Sequence, residues 1–109
     1  MGLSASQHRL LSLIARKTDI ELQAQQISQN RTQLANSTSG LFTSLSNLTP
    51  NSNEALQLQS KISALQQTDK TFELELARLN PQREAITAET DGLKKIIEKT
   101  IEFNFKGLA

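Results

Sequence analysis

The fold is decided by residues 58–97, which read LQSKISALQQTDKTFELELARLNPQREAITAETDGLKKII. Twelve positions in this stretch follow alternating steps of four and three residues, and all but Asp69, Arg83 and Thr90 are apolar. This heptad spacing is typical of a helix that packs along a second helix. The three polar members are expected to set the register at a cost in stability, or to face a neighbouring chain. The apolar positions are Leu58, Ile62, Leu65, Phe72, Leu76, Leu79, Ile86, Leu93 and Ile97.

The first half of the chain carries a matching stripe. Apolar side chains recur at intervals of seven, whereas the positions three residues before them are a mixture of apolar and polar side chains. A helix with so narrow a stripe is marginal in water by itself, so the stripe predicts a partner helix laid along it. The recurring positions are Leu13, Ile20, Ile27, Leu34, Leu41 and Leu48.

A polar segment joins the two halves. In residues 36–53, 12 of 18 residues are Ser, Thr or Asn, types that weaken helices unless packing compensates. We therefore predict a helix over about residues 6–46 that frays near Gly40, a turn over 47–53, and a second helix over about 54–104.

Two prolines bear on the helix ends. Pro50 fixes the reversal, with Thr49 as a candidate cap of the second helix, or Asn51 in a capping box with Glu54. Pro81 could end one helix and start another, because proline removes a backbone donor. The heptad phase survives it, which favours a continuous helix that is kinked near Pro81.

These patterns predict an all-α fold, a single domain over residues 1–109 that forms a long antiparallel two-helix hairpin of the coiled-coil kind. A tight turn near residue 50 would bring together residues whose numbers sum to about 99. The predicted intramolecular seam is formed by Leu13, Ile20, Ile27, Leu34, Leu65, Phe72, Leu76, Leu79, Ile86 and Leu93.

Other apolar residues lie off this seam and would be exposed in a monomer, which makes them candidate contacts with other subunits. Near the C-terminus they go nearly all round the helix, among alternating lysines and glutamates, so this part of the helix is expected to have several neighbours. The alternative is a hydrophobic tail that folds back on its own hairpin. The predicted subunit interface is formed by Ile96, Ile97, Ile101, Phe103, Phe105, Leu11 and Ile14.

The sequence lacks the motifs of an enzyme. Cysteine is absent, His8 is the one histidine and is expected on the surface, and no phosphate-binding loop or metal-ligand spacing occurs. A net charge of +1 and four aromatic residues, all Phe, give no reason to expect nucleic acid as a partner. No apolar run is long enough for an integral membrane segment, and no secretory signal is apparent. We expect no catalytic activity, cofactor or metal.

Three short motifs occur within residues 34–106: Leu48–Asn53 at the turn, Gln59–Ile62 after it, and an ending of aliphatic residues followed by Asn104, Phe105 and Lys106. Together they resemble type III secretion needle subunits. The resemblance implies a small helical hairpin, exported without a cleaved signal, that polymerises into a hollow filament lined by its C-terminal helix. The Ser/Asn/Gln-rich composition is also similar to that of flagellins.

Two functions are expected from the sequence. The first is a structural subunit that assembles with itself into a helical filament, such as a needle-like or flagellin-like appendage, and reaches the cell surface or the exterior by signal-less export with the help of an export chaperone. The alternative is a small cytoplasmic adaptor or secretion chaperone that forms a closed dimer or hetero-complex. The excess of apolar residues near the C-terminus favours the first function, because a contact between two different surfaces of a subunit can repeat from copy to copy without limit.

Overall fold

The protein is an all-α helical hairpin, as its heptad spacing predicts. The structure, a computed structural model, describes the backbone of residues 2–108 and the side chains of residues 2–107. Helix α1 spans Leu3–Ser46 and helix α2 spans Asn53–Leu108. Within the described range every regular element is helical. Met1 and Ala109, the two ends of the predicted domain, lie outside the described residues.

Both helices extend further than the sequence predicts. Helix α1 begins ahead of residue 6 and stays helical through Gly40, and α2 continues past residue 104. Residues 36–46 of the polar segment remain helical, and their hydroxyls bond backwards along the helix: Thr38 Oγ1 donates to the carbonyl of Leu34 at 2.8 Å. Thr43 and Ser46 make similar bonds. Such bonds satisfy the hydroxyl within the helix, which lowers its competition with the backbone.

The reversal between the helices is a tight turn. The N–H of Ser52 donates to the carbonyl of Thr49 at 3.2 Å, and Asn51 adopts a φ of 63°, a left-handed conformation that Asn tolerates. Ser52 Oγ accepts a hydrogen bond from the N–H of Ala55 at 3.1 Å and so caps α2. The prediction of Thr49 or Asn51 as the cap is therefore wrong, because both residues lie in the turn around Pro50, before the helix starts.

Burial follows the heptad spacing in each of two compact units. The first unit consists of Met1–Gln23 and Leu79–Ala109, and the second of Ala24–Arg78. Leu13 is the most buried apolar side chain, at 1% exposed. The half-buried members of the predicted seam are Leu34, Leu65, Phe72 and Leu76. The other buried apolar residues are Ile20, Leu79, Ile86, Leu93 and Ile97 in the first unit, and Ile27, Ala55 and Ile62 in the second.

One ion pair in each unit shows the register. Arg9 contacts Glu89 in the first unit, and Arg31 contacts Asp69 in the second. In both pairs the sum of the two residue numbers differs by one from the predicted value of about 99. The two helices are therefore antiparallel within each unit, with the expected pairing.

Helix α2 continues through Pro81, so the predicted continuity is confirmed. Leu79 and Ile86, on either side of the proline, are both buried, and the phase of the seam is kept. Arg83 is the exception, because its side chain is exposed although its position belongs to the heptad pattern. A guanidinium without a partner is costly to bury, and the long side chain lets its charged end reach water.

Candidate interaction surfaces

Few titratable side chains lie close together in the described part of this hairpin. Across residues 2–107 no group of three acidic or histidine side chains is placed to hold a metal ion, and His8 is exposed. No helix in the described part of the chain is both long and apolar enough to cross a membrane. The features that remain are an ion pair within the seam, two surface grooves and an exposed helix end.

The ion pair between Arg31 and Asp69 replaces an apolar layer of the seam. The guanidinium donates through Nε to Asp69 Oδ1 at 2.8 Å and through Nη2 to Oδ2 at 3.1 Å. This two-bond geometry is the strong form of the arginine–carboxylate pair. The hydrogen bonds from Arg31 hold the pKa of Asp69 below its ordinary value, and those bonds also raise the pKa of Arg31. Both side chains remain partly exposed.

This pair predicts a pH dependence of stability. Because the pKa of Asp69 is lower in the folded chain, its contribution is present above the unfolded pKa of about 3.9 and is lost as the pH falls through the folded value. We expect the urea midpoint, followed by circular dichroism, to fall further between pH 7 and pH 2 in the wild type than in Asp69→Asn. Substitution of the exposed Asp19 by Asn is the control. An equal fall in wild type and Asp69→Asn would contradict the prediction.

The first groove lies beside the ion pair in the second unit. It encloses about 760 Å³, with Phe42 and Leu65 as its apolar walls and Arg31 and Asp69 among its lining residues. Phe42 is about half exposed. We call it the Phe42 groove; its size is in the range of roughly 300–1,000 Å³ found for pockets that accept small ligands or side chains.

The second groove lies in the first unit and is more apolar. We call it the Gly92 groove; it encloses about 600 Å³. A Cβ atom added at Gly92 would meet nothing within 4 Å, as at Gly40 and Gly107, so Gly92 is an open surface position. The guanidinium of Arg9 donates to Glu89 Oε1 at 3.0 Å and forms part of the groove wall. The groove is lined by Arg9, Leu13, Glu89, Gly92, Leu93 and Ile96.

The third feature is the end of α2, which we call the C-terminal arm, residues 98–107. Every residue of the arm is exposed except the half-buried Thr100. Phe103 is 77% exposed and Phe105 75%, and Ile101 is about half exposed. Apolar side chains of this size on one exposed helix end are typical of an interaction surface.

The predicted interface residues divide into two sets. Leu11, Ile14 and Ile96 are exposed, like the arm residues Ile101, Phe103 and Phe105. Ile97 is only 9% exposed, so it belongs to the seam of its own hairpin instead of to an exposed interface. The reason is its position, four residues after Leu93 in the buried heptad phase.

Sequence reasoning missed two buried residues, Ser6 and Ala55, and one groove. Ser6 is buried, and the available signal was its position seven residues before Leu13. Thr90 is buried as well, and the hydroxyls of both residues lack a hydrogen-bond partner among the described atoms. The Gly92 groove has no signal in the sequence, because it depends on how residues of both helices are placed around it.

Comparison of the chain with protein-family models, curated proteins and solved structures returned no match.

Proposed function

We propose that this chain is a structural subunit that assembles with copies of itself into a helical filament. The observation that carries the proposal is the C-terminal arm, where Phe103 and Phe105 are both about three-quarters exposed. Their rings have no cover within the described chain, and a second subunit would supply it. The proposal includes assembly outside the cell, as in needle-like or flagellin-like appendages, which rests on the sequence resemblance.

The amount of exposed apolar surface favours contacts with several neighbours. Burial of a large apolar side chain contributes roughly 1.5–3 kcal/mol, whereas association costs an estimated 4–15 kcal/mol in lost freedom. The arm alone therefore supports a weak contact. Further exposed apolar residues could add to it in a filament, where each subunit touches more than one other. These are Leu11, Ile14, Leu22, Phe42, Leu56, Leu74 and Ile96.

A closed complex is the second candidate. The Phe42 groove has room for a side chain from a partner helix, as expected of a small adaptor or secretion chaperone that binds one amphipathic helix. A filament subunit and an adaptor differ in how the mass of the complex depends on concentration, because only an open contact extends without limit.

The test is light scattering of the full-length chain over a wide range of concentrations, with negative-stain microscopy of the same samples. We expect the mass to grow without a limiting size above a critical concentration, and the images to contain fibres of uniform width. A single small oligomer at every concentration would overturn the filament and favour the adaptor.

A further inference from the structure

The first turns of α1 contact α2 in a way that leaves buried polar atoms without partners. We call residues 3–10 the N-terminal segment. We propose that this segment is a releasable cover: it detaches from α2 while the seam from Leu13 onwards stays closed, and its release exposes Leu93 and Ile97 beside the C-terminal arm. The release itself is independent of the proposed function, whereas its effect on assembly rests on that function.

Two buried hydroxyls weaken the contact. Ser6 is 1% exposed and Thr90 is 5% exposed, and neither Ser6 Oγ nor Thr90 Oγ1 has a hydrogen-bond partner among the described atoms. Other threonines, such as Thr38 and Thr68, donate to the carbonyl four residues earlier in their own helix. A buried hydroxyl without a partner destabilises the closed state, because release returns the hydroxyl to water.

The two hydroxyls belong to facing stretches of the two helices. The residue-number rule places Ser6 opposite Leu93 and Thr90 opposite Arg9. The ion pair between Arg9 and Glu89 agrees with this register. Closure of the segment therefore buries one unpartnered hydroxyl from each helix, and release of the segment frees both.

Few other interactions hold the segment in place. Within residues 3–10, Leu3 and Leu10 are half-buried, and every other residue except Ser6 is exposed. The ion pair of Arg9 is about half exposed, and exposed pairs contribute little to stability. The Gly92 groove runs beside the contact with Arg9 in its wall, so the packing is incomplete on this side.

The seam is tighter from Leu13 onwards. Leu13 is the most buried apolar side chain, and Ile20, Leu79 and Ile86 are buried in the same unit. Local opening costs least where few buried apolar contacts are lost. The boundary of the released segment therefore falls between Leu10 and Leu13.

Release changes the surface at the end of α2. Leu93 and Ile97 are each 9% exposed in the closed hairpin, and the residue-number rule places both opposite the first turns of α1. Once uncovered, they join the exposed Ile96 and Ile101, so that apolar surface continues from residue 93 into the arm. A second copy that buries this longer surface binds the released state and shifts the equilibrium towards it.

Hydrogen exchange of the dilute full-length chain tests the release. We expect Thr90→Val to slow the exchange of the amides of residues 7–10 at least about fivefold, because it removes a buried unpartnered hydroxyl and keeps the shape of the side chain. The substitution acts from the other helix, so a change in the helix propensity of α1 cannot produce the effect. The control is Thr68→Val, at an exposed threonine of the second unit, which should leave this exchange unchanged.

The critical concentration for assembly tests the cover. Ser6→Asp puts a carboxylate at a buried position and so favours release, whereas Ser4→Asp makes the same change at an exposed position of the same helical turn. Relative to Ser4→Asp, we expect Ser6→Asp to assemble at a concentration lower by about fivefold, because more of the chain is in the binding state. Thr90→Val should need a higher concentration than the wild type. Circular dichroism checks that each variant is helical.

The outcomes separate the release, the cover and the proposed function. Unchanged or faster exchange of residues 7–10 in Thr90→Val would overturn the release. Slower exchange in Thr90→Val, with equal critical concentrations for Ser4→Asp and Ser6→Asp, would overturn the cover and leave the release standing. Failure of the wild type to assemble at any concentration would overturn the filament and the cover together, and the exchange rates would still decide the release.

Discussion

The double variant Phe103→Ser with Phe105→Ser is expected to abolish assembly at concentrations where the wild type forms filaments. Both rings are about three-quarters exposed in the single chain, and their burial against a neighbour would contribute about 2 kcal/mol each. Loss of about 4 kcal/mol corresponds to roughly a thousandfold weaker contact. Light scattering measures this loss as a rise in the critical concentration.

The folded hairpin should tolerate this change, because the two rings make no part of the buried seam. Helical content, read from circular dichroism in dilute solution, is therefore expected to stay close to that of the wild type. The matched variant Phe103→Leu with Phe105→Leu keeps large apolar side chains and should retain most of the assembly. Assembly by the serine variant at wild-type concentration would show that the arm is not the contact.

The heptad spacing was sufficient to predict the fold, since one period determines which side chains share a face. The residue-number rule from the turn near residue 50 then anticipated which positions face each other, and the Arg31–Asp69 pair obeys it. Asp69 is predicted to set the register at a cost in stability or to face a neighbouring chain, and the structure pairs it with Arg31. The two hydrogen bonds that Asp69 accepts from Arg31 give the polar groups of this layer their partners within the seam.

The helix ends and the surface were less predictable, because they depend on geometry that no periodicity encodes. Several residues around Pro50 can cap a helix, and only the turn geometry selects Ser52. Hydroxyls that compete with the backbone in other conformations can also bond to the carbonyl four residues earlier within a helix, as Thr38 does. The walls of the Gly92 groove come from both helices, so the groove is visible only once the helices are paired.

A two-helix protein has few layers in its core, so single buried side chains carry a large share of its stability. Here several layers of the heptad pattern contain polar residues, among them Asp69, Arg83 and Thr90. The apolar layers that remain, such as the one at Leu13, therefore have to provide most of the hydrophobic contribution.

The substitution Leu13→Ala is accordingly expected to unfold a large part of the chain. Leu13 is 1% exposed, and truncation of a buried leucine to alanine costs about 2–5 kcal/mol, against a total stability of about 5–15 kcal/mol for ordinary domains. Urea titration followed by circular dichroism should show a much lower midpoint. The measurement belongs in the Phe103→Ser, Phe105→Ser background, because assembly would otherwise stabilise the folded state by mass action.

Leu11→Ala is the matched control, since it makes the same chemical change two residues away on the same helix. Leu11 is 67% exposed, and an exposed substitution of this kind shifts stability by only about 0.5 kcal/mol in either direction. A large difference between the two variants would show that α1 is held by the seam that contains Leu13. Equal midpoints would mean that the dilute chain does not pack its helices along that seam, and that its helices pair only when neighbouring copies bury them.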